Sequence, residues 1–381
     1  MPQVHSIYLI PGFFGFANLG RLHYFRHVRD FLVDHLREGG VSARVHVVRT
    51  HPTSTLPLRA ARVLATVAAT AGKVRGPIHL IGHSTGGLDA RLAMSPGVAL
   101  PARLDVERWA SRVASVVAVA TPHCGTPLAS FLATLRGQRL LALLSVGTAY
   151  VLRFGHLPLS VLVELAGLFA PGDALPLERT LLDEIVERLL ADFSIGRRRA
   201  VGRLLGEVAR DQSLLVQLMP ESMEVFAATV REREGVRYGS VVTRGARPGV
   251  RSTLSTGLDP GAQAMHAVYQ ALYRITARTP KPKGRSEPVV SLTPAQARVL
   301  RRAYRSLPPA AANDGIVPTR SQVFGEVIRA IDADHLDVIG HYSDPSGRPP
   351  HYDWLTTGSG CDRERFESTW QAITEFLLRS S

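Results

Sequence analysis

Between Pro77 and Ala93 the chain reads PIHLIGHSTGGLDARLA, and few folds accept that stretch. Ile78 to Ile81 is a short apolar run of the kind buried in a parallel sheet. Leu88 to Ala93 reads as a helix. Only Gly82 to Gly87 separates the two. A connection that short needs glycine at 82 and 86, because strand and helix must pack with no Cβ atoms between them. It also forces Ser84 into a strained backbone conformation that lifts its hydroxyl above the end of the strand. The Thr85 amide then stands at a helix start, where it can donate to an oxyanion. The bare Gly-x-Ser-x-Gly pattern is weak in a chain with 33 Gly among 381 residues, so its weight comes from the flanking strand and helix.

The surrounding chain fits that reading. Ser6 to Ile10 is a first buried strand, stopped by Pro11 and Gly12. A Gly-bearing loop at that point supplies a second oxyanion donor, here the Phe13 backbone N–H. Leu22 to Leu36 carries a helical apolar stripe closed by Gly39 and Gly40. Ala43 to Val48 is a strand, Leu58 to Ala71 a helix and Arg112 to Thr121 another buried strand. Residues 1–127 therefore alternate strand and helix, which predicts an α/β, mainly parallel, doubly wound sheet.

From Leu128 to Arg233 the sequence turns to Leu- and Ala-rich helices punctuated by Pro158, Pro171, Pro176 and Pro220. Residues 128–233 read as a helical lid or cap inserted into the core. Its amphipathic helices would either bury their apolar faces on the core or offer them to lipid. Residues 234–381 complete the core. They hold a strand at Val236 to Val242, a helix at Gln263 to Thr276 and an exposed loop at Thr279 to Pro288. A helix at Pro294 to Ser306, a last strand at Gln322 to Ile331 and a terminal helix at Glu364 to Leu378 follow.

The formal net charge is +13, and only three of the 45 basic residues are lysines. The arginines are dispersed, and no nucleic-acid-binding pattern accompanies them, so nucleic acid is not expected as a partner. An anionic membrane or micelle surface is the partner this charge favours. Cys124 and Cys361 lack metal-ligand spacing and read as two free buried thiols. No signal-peptide pattern precedes the first strand, which predicts a cytoplasmic protein unless a leader was removed. No apolar run reaches the roughly 18 residues of a membrane-crossing helix.

A nucleophilic serine needs a base, and the base needs an orienting acid. In the order Ser, acid, His the chain offers Ser84, Asp314 in the loop Asn313 to Pro318, and His335 after the last strand. His341 and His351 are rival bases, and Asp332 and Asp334 rival acids. His83 and His123 read as shaping the mouth of the site. Asp89 and Glu224 read as solvated helix charges, and His5, His23, His27 and His79 as structural.

As an ordered set, IPGFFG near the N-terminus, GHSTGG at 82–87, ATPHCGTP at 120–127, NDGIVP at 313–318 and DHLD at 334–337 resemble the α/β-hydrolase superfamily. Within it the chain is similar to bacterial triacylglycerol lipases and esterases. The resemblance implies an α/β-hydrolase fold that cleaves hydrophobic, above all lipid, esters through an acyl-enzyme on Ser84. It makes Asp314 the acid and His335, in its HLD segment, the base in preference to His341. Phe13 and Thr85 would supply the oxyanion amides. An acyltransferase using the same triad, or an amidase or peptidase on the same fold, is the alternative. No cofactor is required. Some relatives hold a structural calcium through the aspartate two residues past the histidine, Asp337 here, and a carboxylate upstream of the acid. The chain has no such carboxylate between Glu287 and Asp314, which argues against calcium. Many secreted relatives carry a leader and a disulfide, neither of which is evident in this sequence, and IPGF replaces their His-Gly opening.

Overall fold

The computed structural model describes all residues except 1–2, 14–23, 52, 73–74, 102–103, 155–156, 169–178, 279–290, 349, 352, 354 and 380–381. In chain order its elements are β1 (His5–Ile10), α1 (Arg26–Glu38), β2 (Ala43–Val47), α2 (Leu56–Ala71), β3 (Ile78–His83), α3 (Thr85–Met94), α4 (Val106–Ala110) and β4 (Val113–Val119). Seven helices follow: α5 (Pro127–Leu132), α6 (Leu135–Phe154), α7 (Leu159–Leu168), α8 (Arg179–Ala191), α9 (Ile195–Arg210), α10 (Ser213–Gln217) and α11 (Pro220–Thr229). The chain ends with β5 (Arg237–Arg244), α12 (Val250–Ser255), α13 (Pro260–Thr276), α14 (Pro294–Tyr304), β6 (Glu326–Asp332) and α15 (Arg363–Leu378).

The six strands form one sheet in the order β2-β1-β3-β4-β5-β6, every pair parallel. β3 is buried along its whole length, His79 included, whose Nδ1 is hydrogen-bonded to Ser115 Oγ at 2.8 Å. The chain builds outward from β1 in both directions, with β2 on one side and β3 on the other. At such a switch point the loops leaving adjacent strands diverge and open a crevice at their carboxyl ends. The loop after β1 carries Gly12 and Phe13, and the turn after β3 carries Ser84. The topology alone thus gathers the Gly12 loop and Ser84 at one crevice.

The helices between β4 and β5 bury several of their leucines, while Leu135 and Leu159 stay exposed. α6 packs on α8, and α7 on α13 of the core. Leu140, Leu141 and Leu144 of α6 are buried, as are Leu182, Ile185 and Leu189 of α8. Tyr150 donates to Asp192 at 2.5 Å across this layer. Among the described residues no helix is long and apolar enough to cross a membrane.

Several expectations are corrected. β6 starts at Glu326 rather than Gln322, and Thr319–Gln322 is a 3-10 turn. The reason is Gln322, whose carboxamide turns inward to accept from the Thr243 amide (2.7 Å) and to donate to Asp314 (3.1 Å). The expected helix from Leu22 starts at Arg26. The short helices α4 and α12 carry no periodic signal of their own. Both cysteines are free, but Cys124 is exposed and Cys361 half-buried, not buried as expected. The expected loop from Thr279 to Pro288 and His23 lie outside the described residues.

Candidate active site

Ser84 forms the turn between β3 and α3 with φ 56° and ψ −130°, a conformation that side-chain-bearing residues avoid. Crowding on both sides holds it there. A Cβ at Gly82 would overlap the Gly86 backbone, and a Cβ at Gly86 would overlap the Ile10 carbonyl. Both glycines are therefore needed for the close approach that the sequence predicts. Gly12 backs directly onto the serine: a Cβ there would lie 3.0 Å from Ser84 Oγ. Phe13 is the next residue of that loop. Thr85 opens α3, and an amide in the first helical turn has no intrahelical acceptor.

Asp314 is fully buried, and donors saturate its carboxylate. Oδ1 accepts the amides of Ile316 (3.0 Å) and Val317 (2.7 Å). Oδ2 accepts Thr243 Oγ1 (2.8 Å), Gln322 Nε2 (3.1 Å) and His335 Nδ1 (2.9 Å). A backbone bond from His335 N to Asp314 O (3.1 Å) ties the same two loops again. With only an acceptor facing Nδ1, the imidazole proton belongs on that nitrogen. Nε2 is then the basic atom, and it is buried without a hydrogen-bond partner. No hydrogen bond joins it to Ser84 Oγ in this structure.

The rival groups are engaged elsewhere. His341 Nε2 faces the Tyr24 carbonyl at 3.3 Å, and His351 Nδ1 donates to the Gly340 carbonyl at 2.8 Å. Asp332 pairs with Arg244 at 2.7 Å. His123 is buried, accepts from Arg91 Nη1 (3.0 Å) and stacks on Phe324.

His83 does something other than shape a mouth. Its Nε2 donates to the His335 carbonyl (2.8 Å), and its Nδ1 accepts the Tyr24 hydroxyl (2.5 Å). Tyr24 Oη in turn accepts the Gly12 amide at 3.4 Å. Burial, helped by the neighbouring His335, holds His83 well below the usual histidine range, so it stays neutral. One imidazole thus links the end of β3, the Gly12 loop through Tyr24, and the backbone of His335. Sequence reading gave Tyr24 no role.

Asp89 is the clearest correction. It is not a solvated helix charge but fully buried, 2.7 Å from Arg59, while Glu224 is exposed. Arg59 also donates to the carbonyls of Pro11 and His51, each at 2.8 Å, and to Thr85 Oγ1 at 3.3 Å. Burial, only partly offset by the neighbouring Arg59, leaves the Asp89 carboxyl raised to about 6. The pair therefore staples α2, α3 and the loop at residues 11–13 together. Asp89→Ala leaves the guanidinium buried and unpaired, and is expected to lower unfolding free energy by about 3–5 kcal/mol in urea titration. A loss below about 1 kcal/mol would mean that the pair does not hold these elements.

Asp334, Asp337 and Asp353 form a second cluster against the His335 turn, with one oxygen from each within 4.8 Å of the others. Asp334 and Asp337 are buried. Burial and mutual repulsion push the Asp334 and Asp353 carboxyls well above the usual carboxylate range, and burial pushes Asp337 up to about 6. Asp334 Oδ2 and Asp353 Oδ1 are buried without hydrogen-bond partners. Partnerless oxygens converging on one point fit a hard cation. Both carboxylates that stand beside Asp337, those of Asp334 and Asp353, lie after Asp314 in the chain rather than upstream of it.

No family model and no curated protein matches this sequence. Solved structures do. Lipase 1 from Pelosinus fermentans superposes with a TM-score of 0.53 at 18% identity, over 100% of this chain and 100% of that one. EstA from Clostridium botulinum superposes with a TM-score of 0.53 at 17% identity, over 97% of this chain and 87% of that one. At these identities the likeness is one of fold: the chain has the α/β-hydrolase fold and resembles bacterial lipases and esterases in structure.

Proposed function

We propose that this α/β-hydrolase chain is a serine hydrolase of hydrophobic, above all lipid, carboxylic esters. The observation that carries the reading is His335, whose Nδ1 is held by Asp314 while its buried Nε2 is left without a partner. In the proposed reaction Ser84 Oγ attacks the ester carbonyl and His335 Nε2 takes its proton. The carbonyl oxygen becomes an oxyanion that the Phe13 and Thr85 amides stabilise. The C–O bond to the alcohol breaks, and His335 returns the proton to the departing alkoxide. Water then attacks the acyl-enzyme through the same base, releasing the acid and restoring Ser84. The Asp314 carboxylate stabilises the imidazolium at each stage.

The test is turnover of p-nitrophenyl esters from two to sixteen carbons, with matched amides and an added alcohol as competing acceptor. The reading expects ester turnover, free acid as the main product and little amide cleavage. Silence on every ester overturns it, and transfer to the alcohol as the main outcome makes the chain an acyltransferase.

The same reading includes a calcium ion held by Asp334, Asp337 and Asp353. It would neutralise the three carboxylates and brace the turn that carries His335. At a calcium concentration about 100-fold above its dissociation constant, a native-state ion adds about 2.7 kcal/mol of stability. Thermal unfolding of the chelator-treated protein is thus expected to shift upward by several degrees with millimolar calcium, and Asp337→Asn should abolish the shift. Equal melting with calcium and with chelator would remove the ion from the account.

A further inference from the structure

The segment after β5 leaves three large apolar side chains in solvent: Val250 (79% exposed), Leu254 (75%) and Leu258 (98%). Val250 and Leu254 are one turn apart on α12 and share a face. Leu258 follows the left-handed turn at Gly257 (φ 75°). Single exposed leucines are ordinary, but three within one short segment form a patch. Leu159 of α7, also exposed, borders it. Its neighbour one turn on, Leu162, comes within 3.1 Å of where a Cβ at Gly261 would stand, at the start of α13.

The patch sits on the rim of the candidate active site. β5 ends at the carboxyl edge of the sheet, the edge from which Ser84 rises. α12 rests on the 356–360 segment, where Gly358 leaves no room for a Cβ beside Ser255. Ser359 Oγ in that segment donates to Asp337 Oδ2 at 3.0 Å, within the His335 turn. Two exposed arginines, Arg247 and Arg251, bracket the first apolar residue. The acidic neighbour Asp259 is occupied as the α13 cap, accepting the Ala262 amide at 2.7 Å.

We propose that Arg247 to Leu258 is the surface by which this protein docks on an anionic lipid bilayer. Val250, Leu254 and Leu258 enter the boundary between headgroups and acyl chains, and Arg247 and Arg251 meet the anionic headgroups. Charge selects this occupant over a second copy of the chain. A self-pair through this face would set Arg247 and Arg251 against the same two arginines, whereas a chain of net charge +13 is drawn to an acidic surface. The inference builds on the lipid-ester reading and adds to it which face meets the lipid.

The test is co-sedimentation of the full chain with phosphatidylcholine vesicles that contain or lack phosphatidylglycerol. Wild type is compared with Arg247→Glu/Arg251→Glu and with Leu254→Asp/Leu258→Asp. Turnover of a soluble short-chain ester is read in parallel on each protein. Wild type should prefer phosphatidylglycerol vesicles. The arginine pair should weaken that binding about thirty-fold and the leucine pair at least about tenfold, with soluble turnover unchanged. The proposal is overturned if wild type ignores phosphatidylglycerol or if either pair binds like wild type. It is also overturned if wild type is a dimer in solution and the leucine pair a monomer. Because sedimentation needs no turnover, an inactive protein that still sediments would sink the hydrolase reading and leave the docking surface standing.

Discussion

Ser84→Ala is expected to lower kcat for a soluble p-nitrophenyl ester by about 10⁶-fold. The size follows from the chemistry, since without Oγ no acyl-enzyme forms and His335 has only water to activate. What remains is the contribution of the oxyanion amides and of substrate binding. The substitution removes one oxygen and keeps the Cβ, so alanine occupies the same φ of 56° with the same strain. Stability should therefore change by less than about 1 kcal/mol, which separates a chemical loss from unfolding. Retention of a tenth of the activity would move the nucleophile elsewhere.

Asp314→Asn is expected to lower kcat by about 10⁴-fold. Every group around this carboxylate donates to it, and of these the Thr243 hydroxyl can turn to accept instead. If the new amide N–H₂ takes the Oδ1 position, it opposes the amides of Ile316 and Val317. If it takes the Oδ2 position, it opposes Gln322 Nε2 and His335 Nδ1. His335 would then have to move its proton to Nε2 to accept from the asparagine, and Nε2 could no longer take the proton of Ser84. The loss should fall on kcat with little change in KM, because the acid does not touch substrate. A drop of less than about tenfold would mean that His335 does not depend on Asp314.

The parts of this site that were legible in the sequence are those governed by local spacing. Gly82, Ser84 and Gly86 are set by a turn too short for side chains, and that constraint stands within a single stretch of sequence. Asp314 and His335 lie in loops whose order along the chain suggests their pairing. What could not be read is pairing at a distance. Asp89 sits on a helix beside Arg91, where a carboxylate usually meets water. Its partner Arg59 lies on another helix, although an arginine between Leu58 and the buried Ala60 and Ala61 was a signal. Asp353 joins Asp334 and Asp337 only because the chain after His335 folds back. Tyr24 reaches His83 across 59 residues. The patch on α12 was hidden in a Gly- and Ser-rich stretch that reads as turns.

On the proposed mechanism Ser84 is a nucleophile activated by His335. The most direct measurement is reaction of the native protein with a fluorophosphonate, followed by proteolysis and mass spectrometry of the adduct. One stoichiometric adduct on Ser84 is expected, lost in Ser84→Ala and slowed by orders of magnitude in His335→Ala. An adduct on another serine, or none on a folded, ester-cleaving protein, would contradict it.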